Sequence, residues 1–188
     1  MLDDAEGAPR PPNAAELQAI DEAMAAGDHQ GAIDVALRAC GGLTGGTRWN
    51  PALDQEADLD GETRAVTVGP AAFVDASTGA RRSAGWLAST IAHEAIHLRQ
   101  LLAVHPADGG DNYSRLDTGG DAVNEIEAYD WEIRNADRLQ LPPHERAELV
   151  GRRQEHWERI RHHPHYAARV GAVAGGEGYD YWIDPADR

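Results

Sequence analysis

The segment SAGWLASTIAHEAIHLRQLLAV, residues 83–104, constrains this chain more than any other. It contains no proline and runs into His105-Pro106. It therefore reads as one helix over about 84–103, with Ser83 placed to cap it and the proline to stop it. At about 100° per residue, Leu87, Ile91, Ala95, Leu98 and Leu102 share one flank. Trp86, Thr90, His93 and His97 share the next, and Glu94 lies between the two. His93 and His97 stand one turn apart on the same face. Two imidazoles at that spacing can bind one metal ion, and the Glu beside the first can reach a water held at it. An apolar flank next to a histidine flank predicts that the metal face looks into the protein.

A zinc site needs a third protein ligand and one open position. Two later segments compete to supply the ligand. The first is NEIEAYDWE, residues 124–132, on a helix expected over 122–139 with Asp121 as its cap. Taking Glu125 as zero, Tyr129 falls at about 40°, Ala136 at about 20° and Glu132 at about −20°. Glu125 and Glu132 thus sit inside the apolar arc. A buried unpaired carboxylate is costly, so an acid there needs a reason, and metal ligation supplies one for Glu125. Glu127 falls at about 200°, beside Arg134 and Arg138, where a solvated helix charge is expected. Glu132 is either a hydrogen-bond acceptor for a ligand histidine or the partner of an arginine. Tyr129 either donates to the oxyanion of a tetrahedral intermediate or is an amphipathic core residue.

The second competitor is the group His156, His162, His163 and His165. A third imidazole is chemically sound, but the HHPH run fits a helix C-terminus, where a protonated histidine suits the dipole. His105 does not complete the pattern in which a third His follows an intervening Gly, because no Gly precedes it.

The rest of the chain divides around this core. Residues 1–13 are rich in proline and acid and read as a disordered lead-in, with no basic or apolar stretch of a signal peptide. Residues 14–40 read as a helical hairpin broken at Gly27-Asp28, with Asn13 as first cap. Residues 41–163 hold the site, and 164–188 form an aromatic, glycine-containing tail. Within the central part, 47–62 reads as irregular, Asp60-Gly61 as a hairpin turn, and 63–68 as a strand flanking the site. The Gly/Asp-rich stretch 107–121 is a loop placed to wall a cleft. A helix over 144–161 follows, with Leu149, Val150, Trp157 and Ile160 as its buried candidates. The lone Cys40 rules out an intrachain disulfide and reads as a small buried residue.

Charge narrows the partners. The net charge is −15 and every positive charge is arginine. Nucleic acid is not expected as a partner, because binding it needs clustered cations. No stretch approaches the roughly 20 apolar residues of a membrane span. A peptide or protein substrate is expected, and a partner protein could dock on the N-terminal helices or the aromatic tail. The expected location is the cytoplasm, or outside the cell by a route that needs no signal peptide.

The pairing of HEAIH with Asn124-Glu125-Ile126-Glu127-Ala128 resembles gluzincin-type zinc metallopeptidases, which join HExxH to a Glu on a following helix. The layout VTVGPAAF, then GWLASTIAHEAIHLRQ, then NEIEAYDWEIRNA is similar to the small HExxH domains of bacterial polymorphic-toxin and RHS-associated proteins. The resemblance spans about 63–140. It implies that His93, His97 and Glu125 bind Zn2+ and that Glu94 is the general base. The fold it implies is a mostly helical α+β, minimal zincin-like core: an active-site helix, a ligand helix and a short β element. Two other classes stay open beside a peptidase. One is a zinc-stabilised binding module without hydrolytic activity, and the other a toxin warhead that uses the same site.

Overall fold

The computed structural model describes residues 9–104, 118–164, 166, 167 and 170. The fold is α+β and mostly helical. Two N-terminal helices, α1 (Ala14–Ala25) and α2 (His29–Cys40), lead into three short strands, β1 (Thr47–Trp49), β2 (Ala57–Leu59) and β3 (Val66–Val68). A 3-10 turn at Pro70–Ala72 precedes the long helices α3 (Ala84–Val104), α4 (Thr118–Asn135) and α5 (Pro143–Ile160). None of the described helices is long and apolar enough to cross a membrane.

Local chemistry sets the boundaries of the hairpin. The Asn13 side chain accepts from the amides of Ala15 and Glu16, and the Glu16 carboxylate accepts from the Asn13 amide at 2.8 Å. This reciprocal cap starts α1. Gly27, at φ 73°, turns the chain, and Asp28 caps α2 through the Gly31 amide at 2.9 Å. Leu17, Ile20, Ala36 and Cys40 join one core with Leu87 and Ile91 of α3. The hairpin is thus built into the wall behind the histidine helix. The described end of the lead-in is not loose: Pro9, Pro11 and Pro12 are buried, and the Arg10 amide donates to the Cys40 carbonyl at 2.9 Å.

The sheet differs from the single expected strand. β3 lies in the middle of the order β1-β3-β2, parallel to β1 and antiparallel to β2. Residues 47–62, expected to be irregular, supply two of the three strands. Segments of three residues are too short to carry an alternation signal, so only pairing with β3 reveals them. The Asp60-Gly61 turn joins β2 to β3, with the Asp60 carboxylate accepting from the Glu62 and Thr63 amides at 2.9 Å each.

α3 is capped by Ser83, whose hydroxyl oxygen accepts from the Trp86 amide at 3.0 Å. Ser83 also donates through its amide and hydroxyl to Glu145 of α5, at 2.9 and 2.5 Å. A Cβ on Gly85 would meet the Leu139 carbonyl oxygen at 1.9 Å, so a glycine is what lets the helix seat against the α4–α5 turn. Leu87, Ile91, Ala95 and Leu98 are buried, as the phasing of the apolar flank predicts.

α4 begins at Thr118, and Asp121 lies in its first turn instead of capping it. The helix packs on α3 with one face and on α5 with another. On α5, Leu149 and Ile160 are buried and Trp157 packs on a second small cluster around Ile126. Val150 is 52% exposed, so that expectation fails, while Glu145 on another face of α5 is buried. The loop expected over 107–121 and the aromatic tail lie mostly outside the described residues.

Candidate metal centre

Trp86, Thr90, His93 and His97 lie along one side of a cleft of about 1170 Å³, and Glu94 and Leu101 border it from the same helix. The opposite wall is the segment 54–62, which includes β2. Glu125 and Tyr129 enter from α4, and Arg152 from α5. The strand beside the cleft is therefore β2. β3, which the sequence reading placed there, is paired on both edges and has none to offer.

His93 Nε2 and His97 Nε2 approach to 2.9 Å. The Glu125 carboxylate faces both, with Oε1 at 3.2 Å from His97 Nε2 and Oε2 at 3.4 Å from His93 Nε2. One ligand atom from each of the three lies within 4.8 Å of the others. Two imidazole nitrogens and one carboxylate oxygen form a donor set suited to zinc, with room left for a fourth ligand from the cleft. Among the described residues, the carboxylate that converges with the two imidazoles is Glu125, the acid that the helix phase singled out. The histidine group does not supply a third donor among the described residues. His156 Nε2 stands 4.0 Å from Glu125 Oε2, outside the converging set, and His162 and His163 are exposed. His165 lies outside the described residues.

The electrostatics favour a cation between these groups. Burial would raise the Glu125 pKa, but the two imidazoles outweigh it and hold the carboxyl well below its usual range. Burial would lower the His93 pKa, yet Glu132 and Glu125 raise it well above the ordinary imidazole value. His97 is raised in the same sense by Glu125, against burial. The carboxylate charge that holds protons on the two imidazoles would also attract a metal ion in their place, in competition with those protons.

Glu94 differs from the other acids of the cleft. It makes no hydrogen bond or ion pair among the described residues, and it borders the cleft beside the paired histidines. Burial raises its pKa, with the imidazoles acting against the shift. A carboxylate with a raised pKa and a free approach to water has the properties of a general base. Tyr129 packs its ring at 4.9 Å from the His93 ring, and burial pushes its hydroxyl up to about 12, so it remains a neutral donor.

Glu132 takes the first of its two sequence readings. It accepts from His93 Nδ1 at 2.7 Å and also from the Ser89 hydroxyl. That bond leaves His93 Nε2 to face Glu125.

Glu127 overturns the expectation of a solvated charge. It is 6% exposed, and its Oε2 accepts from Gln100 Nε2 at 2.9 Å. The phase reading assumed that α4 had one wet face. The helix instead lies between α3 and α5, so its second face is dry too. Gln100 was missed altogether. Its signal was its place one turn after His97, where its oxygen accepts from His97 Nδ1 at 2.7 Å. Arg152 was missed as well, because nothing in the local pattern of α5 marks which arginine turns inward. The chain matches no family model, no curated protein and no solved structure.

Proposed function

We propose that this protein is a zinc-dependent peptidase acting through the cleft between α3 and β2. The observation that carries the reading is the convergence of His93 Nε2, His97 Nε2 and the Glu125 carboxylate beside Glu94, whose carboxylate has no hydrogen-bond or ion-pair partner among the described residues. When bound there, zinc supplies a Lewis acid that polarises the scissile carbonyl and makes water more acidic. A Glu94 carboxylate oxygen takes a proton from the attacking water and returns it to the leaving amine nitrogen. Glu132 and Gln100 hold the two imidazoles from behind, so that Nε2 of each is turned to the metal. The Tyr129 hydroxyl remains protonated and is a donor for the developing oxyanion. β2 pairs only with β3 among the described residues, so its other edge offers backbone groups to an extended peptide.

Metal analysis of the purified protein, with peptide-library hydrolysis on the same preparation, tests this reading. The expected result is one zinc per chain and turnover that Glu94→Gln abolishes while the zinc stays. Removing a general base costs about 100- to 10,000-fold in rate. Wild-type cleavage by Glu94→Gln overturns the mechanism. Bound zinc with no turnover on any peptide replaces the peptidase with a zinc-stabilised binding module.

A further inference from the structure

His93 and His97 are held from behind by different chemistry. His93 Nδ1 faces a carboxylate, Glu132 Oε1, and His97 Nδ1 faces a side-chain amide, Gln100 Oε1, each at 2.7 Å. An ionised carboxylate can only accept, which keeps the proton on Nδ1 and leaves Nε2 bare. An amide has two faces. Turned over, Gln100 would present its NH2 group to His97, and the imidazole proton would have to move to Nε2, where it blocks a metal. Two acceptors decide which way the amide faces. Gln100 Nε2 donates to Glu127 Oε2 at 2.9 Å and to the Asn124 carbonyl at 3.1 Å. A reversed amide would set its own oxygen against both of these oxygens. Gln100 and Glu127 are both buried, so bulk water cannot relieve that clash.

We infer that Glu127 is a positioning residue for the metal centre, acting through Gln100 to fix the His97 tautomer whose Nε2 is free to bind metal. The inference rests on the zinc reading above. It gives α4 two tasks two residues apart: Glu125 enters the donor set, and Glu127 prepares the neighbouring donor. It also explains a buried acid that the helix phase had assigned to solvent.

The test compares zinc affinity, by competition with a chromophoric chelator, in wild type, Glu127→Leu and Glu127→Gln. Gln keeps an oxygen that can accept from Gln100, and Leu does not. Glu127→Leu should lose about 10- to 100-fold in zinc affinity, the usual cost of removing an outer-shell partner. Glu127→Gln should recover most of that loss. In zinc-loaded wild type the His97 Nδ1–H should give a protected nitrogen–proton NMR signal, and in Glu127→Leu that signal should exchange faster. A folded Glu127→Leu with wild-type affinity overturns the positioning role. So does a Glu127→Gln that loses as much as Glu127→Leu. If Glu127→Leu does not fold, Gln100→Met carries the same expectation, and unchanged affinity there overturns it. Wild-type protein that binds no zinc overturns the peptidase reading and this inference together, a result distinct from zinc binding that survives Glu127→Leu.

Discussion

The two ends of α3 meet shielded acid in opposite ways. Just before its N-terminus, carboxylates meet guanidinium groups. Arg82, only 5% exposed, is bidentate to Glu148 at 2.5 and 2.9 Å, and Arg152 is bidentate to Glu56 at 2.7 and 2.8 Å. Arg152 also reaches Glu148 at 2.7 Å, and both guanidiniums lie over the Trp86 ring, at 4.0 and 5.3 Å. Two turns further on, the ion-pair partners of Glu125 and Glu132 among the described residues are imidazoles. A guanidinium never gives up its charge, whereas an imidazole can exchange its proton for a metal. One end of the helix is fixed by permanent charge. The other is held by charge that can be replaced, and that difference separates a structural cluster from a candidate site more sharply than burial does.

The comparison breaks first if ligand loss and ion-pair loss look alike. Glu125→Ala should cut zinc affinity by more than about 100-fold, beyond the cost of an outer-shell change, as read by chelator competition. Arg82→Met should leave zinc stoichiometry intact and instead lower stability by about 2 kcal/mol in urea unfolding, because it removes charge-assisted hydrogen bonds from half-buried carboxylates. A zinc-free Arg82→Met with unchanged stability would reverse the two assignments.

The sequence made the exchangeable half legible and left the permanent half nearly silent. HEAIH marks its two histidines as a pair because spacing on one helix fixes their mutual distance before any tertiary contact exists. Glu125 was legible one step further, since an acid inside an apolar arc is anomalous on its own helix. Arg82, Glu56 and the α5 pair Glu148–Arg152 come from three separate places in the chain; helical spacing joins Glu148 to Arg152, but no periodicity links that pair to Arg82 or Glu56. Glu127 failed for a related reason. Its phase was read correctly, but the meaning of that phase depends on α5 covering the second face of α4, which is a tertiary fact. β1 and β2 failed at the level of length, because three residues are too few to show a period of two, whereas β3 fell inside the strand expected over 63–68.

A smaller effect sharpens the boundary between the halves. Ser83, next to Arg82, ties the start of α3 to α5 by capping the Trp86 amide and donating to Glu145. Ser83→Ala should cost about 1 kcal/mol, the usual value of an N-cap, read as a lowered urea midpoint. Zinc affinity should not change, because about four turns of helix separate the cap from His97. A fall in zinc affinity would show that the two halves are coupled through the helix.

The smallest expected effect uses pH to pull the halves apart. Burial alone would raise the Glu148 pKa, but the hydrogen bond from Arg82 and the charge of Arg152 lower it below the ordinary value of 4.5. Its unfolded form therefore takes up a proton before its folded form does as pH falls. The stability it contributes is present above 4.5 and is lost as pH falls from there through the depressed folded value. Glu148 is 28% exposed, so solvent screening limits the contribution to about 1 kcal/mol or less. Wild type should exceed Glu148→Gln by that margin in urea unfolding at neutral pH, and the two curves should converge below 4.5. Zinc held as proposed should leave in a different window. Protons displace it from the imidazoles, and His93 holds its proton well above 6.5 in the absence of metal, so affinity falls on acidification long before Glu148 titrates. A single transition in which zinc loss and the Glu148 contribution titrate together would mean that permanent and exchangeable charge are not separate devices on this helix.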